Sequence, residues 1–432
     1  MVFEQFYLGC LAHASYLIGS EGVAAIVDPQ RDVEIYLTAA AEHGLRIEHI
    51  IETHLHADFV SGHHELAAKT GAAIWLGAGS GATFPHRDAH DGDTIALGGC
   101  RLEFLQTPGH TPESVSVVVW DGNERVSVLT GDTLFIGDVG RPDLTENHTP
   151  QELAGMLYDS LHRKLLALPD GVAVYPAHGA GSMCGRNISS DRASTIGRER
   201  ASNYALREMP RERFVEIMTQ DLPPRPEYFR HDVDVNRHGA PALDSLPPLP
   251  PLTKVPAAAV LVDTRPATVY ASGHVAGSLQ IGLGGQFAAW AGALIGLDRD
   301  VVLIAEDQAE EARLRLARVG IDRVIGYLDP AAGLPLIPTK QIEVQELRER
   351  QHDFCIVDVR RKPEWDAGHI EGARHLPLDN LRECAATLDR SRPIAVHCKG
   401  GYRSMIACSL LESAGFEQVF NILGGYDAWI GT

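Results

Sequence analysis

The sequence predicts an α/β protein: one large domain with two sheets covered by helices, then two smaller α/β domains with parallel sheets. Three observations predict it. The first 240 residues interleave short β-branched strands with helical segments. A proline-rich stretch, Pro241 to Pro256, then interrupts every periodicity. Beyond it one sequence pattern occurs twice. At 432 residues the chain is too long for a single core. The expected divisions are 1–240, a linker at 241–255, a unit at 256–338 and a last unit at 339–432.

In the first division, Ala24–Asp28, His49–Glu52, Ala73–Leu76, Arg101–Gln106, Val115–Trp120, Val126–Thr130 and Val172–Tyr175 read as strands, most ending in a polar turn. Val33–His43, Ser61–Thr70 and Pro150–Leu168 read as helices. A weaker break than the linker falls at Leu334–Pro338. The repeated pattern is Leu261-Val-Asp263-Thr-Arg265 followed by Gly273-His274-Val-Ala-Gly277, and Ile356-Val-Asp358-Val-Arg360 followed by Gly368-His369-Ile-Glu-Gly372. In both copies the histidine lies eleven positions after the aspartate (263 to 274, 358 to 369). That fixed spacing implies a duplicated α/β unit. In the last unit Ile394–His397 reads as a buried strand, and Arg403–Ala414 as an amphipathic helix stopped by Gly415. Cys398 therefore sits at a strand's C-terminal end before a helix, where open α/β sheets bind ligands.

Hydrophobic residues make up 44% and charged residues 22%, as in soluble globular proteins. A formal charge of -19 argues against nucleic acid or anionic membrane surfaces as partners, though a local basic loop can still hold a small anion. Seven cysteines without a framework fit free thiols in a reducing compartment. The first residues show no signal-peptide pattern, and no apolar run reaches the roughly 18 residues a membrane helix needs. A cytoplasmic location, no membrane span and a homo-oligomer are expected.

Four segments end strands with ligand-type residues: Thr53-His54-Leu-His56-Ala-Asp58, Thr107-Pro-Gly-His110-Thr, Thr130-Gly-Asp132-Thr and Tyr175-Pro-Ala-His178. Their combination points to a metal site. His54 and His56 are two apart, so an extended backbone would direct both to one side, and the spacing does not choose between them as ligand. These motifs resemble the metallo-β-lactamase superfamily over about residues 1–240, which implies an αββα sandwich. The family's His-x-His-x-Asp-His motif has Phe59 at its last position here, a departure that favours one metal over two. More narrowly, Glu52 to Asp58, Thr107–Thr111, Thr130–Thr133, Gly140-Arg141-Pro-Asp143 and Tyr175–His178 look like the persulfide dioxygenases. That resemblance implies one Fe(II) per chain, held by His54, His110 and Asp132. It makes His56, Asp58 and His178 groups that orient ligands or carry protons. The implied substrates are O₂ and a small persulfide, such as that of glutathione or coenzyme A, and the implied product is sulfite. Two imidazoles and one carboxylate leave open iron positions, as this chemistry needs.

Cys398-Lys399-Gly400-Gly401-Tyr402-Arg403 resembles the active loop of the rhodanese sulfurtransferases, and the likeness extends over about residues 340–432 to Asp358-Val-Arg360 and Gly424-Gly-Tyr-Asp-Ala-Trp429. Glycines let backbone N–H groups turn inward as an anion nest, and the helix N-terminus adds positive potential; both stabilise a thiolate or persulfide on Cys398. Lys399, Gly400, Gly401 and Tyr402 are the expected substrate contacts, with Arg403 holding an oxyanion or bracing the loop. Four residues between Cys398 and Arg403, one fewer than in the related phosphatases, suit sulfur, so sulfite and thiosulfate join the expected ligands. The middle unit runs from Val301–Ala305 into Glu306-Asp307 without cysteine or glycine nest, and reads as non-catalytic. Cys184, in the loop after His178, is a candidate sulfur relay against the plainer reading of an ordinary loop thiol. Arg141, Arg186 and Arg192 are candidate anion contacts. Two rival readings are a dinuclear zinc thioester hydrolase of glyoxalase II type joined to a sulfurtransferase, and a non-oxygenating sulfur carrier or sensor.

Overall fold

The computed structural model describes residues 1–222, 225–329 and 333–431. The chain forms two compact units, one of Met1–Leu246 with Ala317–Gly320, the other of Pro247–Leu316 with Ile321 onward.

The first unit holds two six-stranded sheets. In one, the order is Val2–Leu8, His13–Ser20, Val23–Val27, Arg46–Ile51, Ala73–Gly77 and Arg87–Ala89. The first three strands pair antiparallel and the later ones parallel. In the other, the order is Ser194–Thr195, Ala173–Pro176, Glu124–Gly131, Val115–Asp121, Cys100–Gln106 and Thr94–Leu97. Side-chain alternation sorts each strand between two cores. Tyr16 and Ile18 enter the core between the sheets with Val117, Val119 and Phe104. Leu17 faces the helix layer with Tyr36, Ala40 and Leu66, while Val118 packs on the other side with Leu157 and Leu161. Four layers result, helices outside two face-packed sheets.

All seven expected strands are present; Val2–Leu8, His13–Ser20, Arg87–Ala89 and Thr94–Leu97 were not anticipated. The expected helix over 150–168 changes winding partway. Thr149 and Glu152 form a capping box with Pro150 behind it, and an α-helix runs over Pro150–Asp159. It passes into a π turn at Ser160–Lys164 and a 3₁₀ turn at Leu165–Ala167.

The second unit contains two parallel sheets. Four strands order as Leu279–Gln280, Val260–Asp263, Val301–Ile304, Val324–Leu328; five order as Lys340–Ile342, Val419–Ile422, Ile394–His397, Cys355–Asp358, Arg374–His375. The sequence repeat is a repeat of contacts. Arg265 pairs with Asp263 at 2.6 Å and donates to Gly273 O, and Arg360 pairs with Asp358 at 2.6 Å and donates to Gly368 O. Both expected breaks take part in pairing. Leu252 N–H donates to Tyr327 O and Tyr327 N–H to Pro250 O, so the linker's end lies along an edge strand. Leu336–Ile337 pairs with His274–Val275.

The helix after Cys398 departs from expectation. It spans Tyr402–Ser413, and every residue from Ser404 to Leu411 is buried, so it is not amphipathic. One side faces its own sheet. On another, Ser409 Oγ accepts Gln280 N–H at 3.0 Å, and Glu412 stands 3.5 Å from His274. Gln280 and His274, beside the four-stranded sheet, cover a face that the five-stranded sheet and its helix alone would leave to water.

Candidate metal centre and cysteine loop

Asp28, Glu52, Thr107, Asp132 and His178 each follow the end of a strand, so the two sheets deliver ligand-type side chains to one rim. The sheets approach closely there: a Cβ on Gly131 would lie 2.5 Å from Thr53 Oγ1, and Gly131 has φ +52°. Only glycine fits, and the approach brings Asp132 to His54.

His54, His110 and Asp132 are all buried, with donor atoms within 4.8 Å of one another. Asp132 Oδ2 lies 3.9 Å from His54 Nε2 and 3.4 Å from His110 Nε2. Neighbours assign the ring protons. His110 Nδ1–H donates to the Arg141 carbonyl at 2.9 Å. Thr53 Oγ1 gives its one proton to Asp28 and so accepts from His54 Nδ1–H at 3.0 Å. Both Nε2 atoms are therefore unprotonated. Burial pushes the basicity of both rings below the usual histidine range, with His56 adding to the effect at His54. Burial works against a charged Asp132, but His178, His110 and His54 outweigh it and hold the carboxyl far below its ordinary range. Asp132 Oδ1 accepts from His178 Nδ1 at 2.8 Å, while buried Oδ2 has no hydrogen-bond partner. Three lone pairs thus converge with no proton between them. Such an arrangement is costly unless a cation fills it, and these residues fit a metal ion.

His178 bridges Asp132 and Asp58, with Nε2 2.9 Å from Asp58 Oδ2. Burial opposes its charge, but the two carboxylates prevail and raise its pKa well above the histidine norm. His56 is a correction to the expected geometry. Its ring lies beside that of His54, centroids 4.1 Å apart, yet its Nε2 faces Asp28 and Glu52 rather than Asp132. Residues 53–59 form a bent segment, not a strand, so a two-residue spacing does not bring the two nitrogens to one point.

Phe59 is fully buried against His13 and His56 and offers no donor. Yet Cys184, Asp58 and His178 form a second buried three-donor set. Phe59 alone therefore does not limit the centre to one ion. Burial, then Asp58 and Asp132, raises the Cys184 thiol well above its usual range, which weakens it as a free nucleophile.

Arg141 was expected near substrate anions. It is buried, and Asp143 takes its guanidinium through Nε at 2.6 Å and Nη2 at 2.8 Å. Its backbone does the positioning: the carbonyl holds His110, and the N–H donates to Cys184 O at 2.9 Å. Arg186 spends its guanidinium on the carbonyls of Ile217, Met218 and Gln220. Arg192 lies over the Tyr7 ring. Asp28 and His13 are not marked as site residues by the sequence; Asp28, at a strand end, shares the signal that marked the others.

In the second unit, Cys398 is buried at the end of Ile394–His397, and its Sγ accepts Gly401 N–H at 3.1 Å. Ser404 Oγ stands 3.7 Å away and is itself fixed on Asn421. The loop is held from behind: Tyr426 N–H donates to Cys398 O at 2.8 Å and Asp427 N–H to Lys399 O at 3.1 Å. Those bonds hold the two carbonyls, while the Gly401 N–H faces the sulfur. Lys399 and Gly400 are exposed at the mouth. Tyr402 donates its hydroxyl to Gly282 O at 2.9 Å. Arg403 makes a two-point clamp on Glu364, 2.6 and 2.7 Å, which favours bracing over oxyanion binding. The equivalent strand end in the other sheet, Val301–Ile304, carries neither cysteine nor nest.

Comparison with known proteins matches both regions of the chain. Residues 8–178 match the metallo-beta-lactamase superfamily model, and residues 343–432 the rhodanese-like domain model. The chain is 33% identical over 232 residues to the mitochondrial persulfide dioxygenase ETHE1 of Bos taurus, covering 51% of this chain and 82% of that protein. It is also 36% identical over 179 residues to a hydroxyacylglutathione hydrolase of Anaeromyxobacter dehalogenans, covering 41% of this chain and 65% of that protein. A crystal structure of a metallo-beta-lactamase from Staphylococcus aureus matches with TM-score 0.72 at 33% identity, covering 76% of this chain and 99% of that one.

Proposed function

The chain belongs to the metallo-β-lactamase superfamily, among relatives of the persulfide dioxygenase ETHE1, with a rhodanese-like domain following, and from that premise we propose that it oxidises a small persulfide to sulfite and transfers sulfane sulfur through Cys398. The observation that carries the first activity is the convergence of two unprotonated Nε2 atoms and the unpartnered Asp132 Oδ2. His54, His110 and Asp132 would hold Fe(II), which when bound supplies the redox chemistry joining O₂ to sulfur. Thr53 and the Arg141 carbonyl keep the two rings in the tautomer that binds metal. His178, between Asp132 and Asp58, is placed to hold a proton beside the reacting sulfur. The balanced reaction is R-S-SH + O₂ + H₂O giving R-SH + H₂SO₃.

Cys398 would take a sulfane sulfur as persulfide, stabilised by the Gly401 N–H. Lys399 at the mouth favours anionic donors and acceptors such as thiosulfate and sulfite. The test is oxygen consumption by iron-loaded protein with glutathione persulfide, with sulfite and thiosulfate resolved. Oxygen uptake with sulfite formation is expected. No uptake, with zinc in the purified protein at the His54 site, would sink the reading.

A hydrolase reading has one observation in its favour: Asp58, His178 and Cys184 could take a second ion beside the first. Thioester hydrolysis without oxygen uptake would establish it instead.

A further inference from the structure

Asp28, Glu52, His56 and His63 form a separate buried cluster behind the proposed iron ligands, each at most 1% exposed. His56 Nε2 is 3.1 Å from Asp28 Oδ1 and 3.4 Å from Glu52 Oε2. His63 Nδ1 is 3.4 Å from Glu52 Oε1. Donor atoms of Asp28, Glu52 and His56 all lie within 4.8 Å of one another. None of the four ring nitrogens of His56 and His63 has a hydrogen-bond partner of acceptable geometry.

The surroundings fix both carboxylates, and the His56 ring faces the two of them. Asp28 accepts Thr53 N–H at 2.7 Å and Thr53 Oγ1–H at 2.9 Å. Glu52 Oε1 accepts from Ser61 Oγ, whose backbone N–H is held by Asn236. Two carboxylates withdrawn from water cost several kcal/mol each unless positive charge joins them. No lysine or arginine is paired with either in the ion pairs of the described residues.

We propose that Asp28, Glu52 and His56 form a zinc site distinct from the His54, His110 and Asp132 centre. Buried aspartate, glutamate and histidine donors that converge within reach of one ion match the oxygen and nitrogen ligands zinc takes. Zinc also exceeds iron(II) and manganese(II) in affinity for such mixed donors. The ion would tie together the ends of Val23–Val27 and Arg46–Ile51 and the segment carrying His54. It would thereby hold the bent segment that presents His54 to the first site, adding metal-binding energy to folding. His56 is turned away from Asp132, so the two sites share no donor.

The test uses the full chain, loaded with Fe(II) and Zn(II), in crystals measured on both sides of the zinc absorption edge. An anomalous peak bounded by Asp28, Glu52 and His56 is expected. Elemental analysis should show about one zinc per chain at this buried site, and Glu52→Gln should lose that zinc, with a lower Tm, while iron content persists. Absence of a peak there, with His56 sitting as an imidazolium between the carboxylates, would overturn the proposal. So would a zinc peak only at Asp58, His178 and Cys184, or unchanged zinc in Glu52→Gln. If that variant does not fold, the wild-type map decides alone.

Discussion

Replacing Gly425 with alanine should cripple sulfur transfer without replacing any residue that contacts sulfur. Gly425 has φ +60°, where a Cβ costs about 1–2 kcal/mol. The new Cβ would also stand 2.5 Å from Lys399 O and 2.6 Å from Cys398 O, well inside contact distance. Forcing an atom into packed structure typically costs ~1–3 kcal/mol, so the combined destabilisation is about 2–5 kcal/mol. The carbonyls must move, and they are what Tyr426 and Asp427 hold in the loop whose Gly401 N–H faces Cys398. Misdirecting one such donor costs on the order of 100-fold in rate. Thiosulfate sulfurtransferase activity should therefore fall about 100-fold. Oxygen uptake with persulfide, which depends on the other unit, should stay at the wild-type level. A sulfurtransferase kcat/KM within about threefold of wild type, far short of a lost oxyanion-type donor, would refute the claim that this glycine shapes the nest.

Glu364→Gln should lower the sulfurtransferase rate and leave oxygen uptake unchanged, because Arg403 loses its two-point clamp. Burial opposes the Glu364 charge, but Arg403 outweighs it and holds the carboxyl below its ordinary 4.5, so the wild-type stability advantage is full above that value. It closes as pH falls through the depressed pKa, and denaturant melts at several pH values would read it. Asp132→Asn should weaken iron binding by more than about 100-fold, the upper range for losing a mere supporting group, as read by metal titration. Tyr402→Phe removes the hydrogen bond to Gly282 and should cost about 1 kcal/mol, seen as a lower Tm of the second unit with Cys398 still able to take up sulfur.

The two-sheet architecture and the converging strand ends were legible in sequence because period-two apolar runs and polar strand ends are local signals. So was the duplication, since the Asp-x-Arg to Gly-His spacing encodes a contact made within each copy. Other features depend on partners far away in the chain. Val2–Leu8 is half-buried at every position, so it shows no alternation to read. The direction of His56 is set by Asp28 and Glu52, not by its distance from His54. The role of Arg141 lies in its backbone, which no side-chain motif announces. The completeness of the Asp58 and His178 set depends on a loop that returns with Cys184.

The buried helix Tyr402–Ser413 has a practical corollary for anyone dividing this protein. Because the 256–338 segment covers part of it, a fragment begun at residue 339 would bare the surface that Gln280 and His274 normally meet. Such a fragment should be sticky, self-associating through that stripe, and easily digested. The duplicated pair is better treated as one heritable part: the copy without a cysteine is the other copy's missing wall.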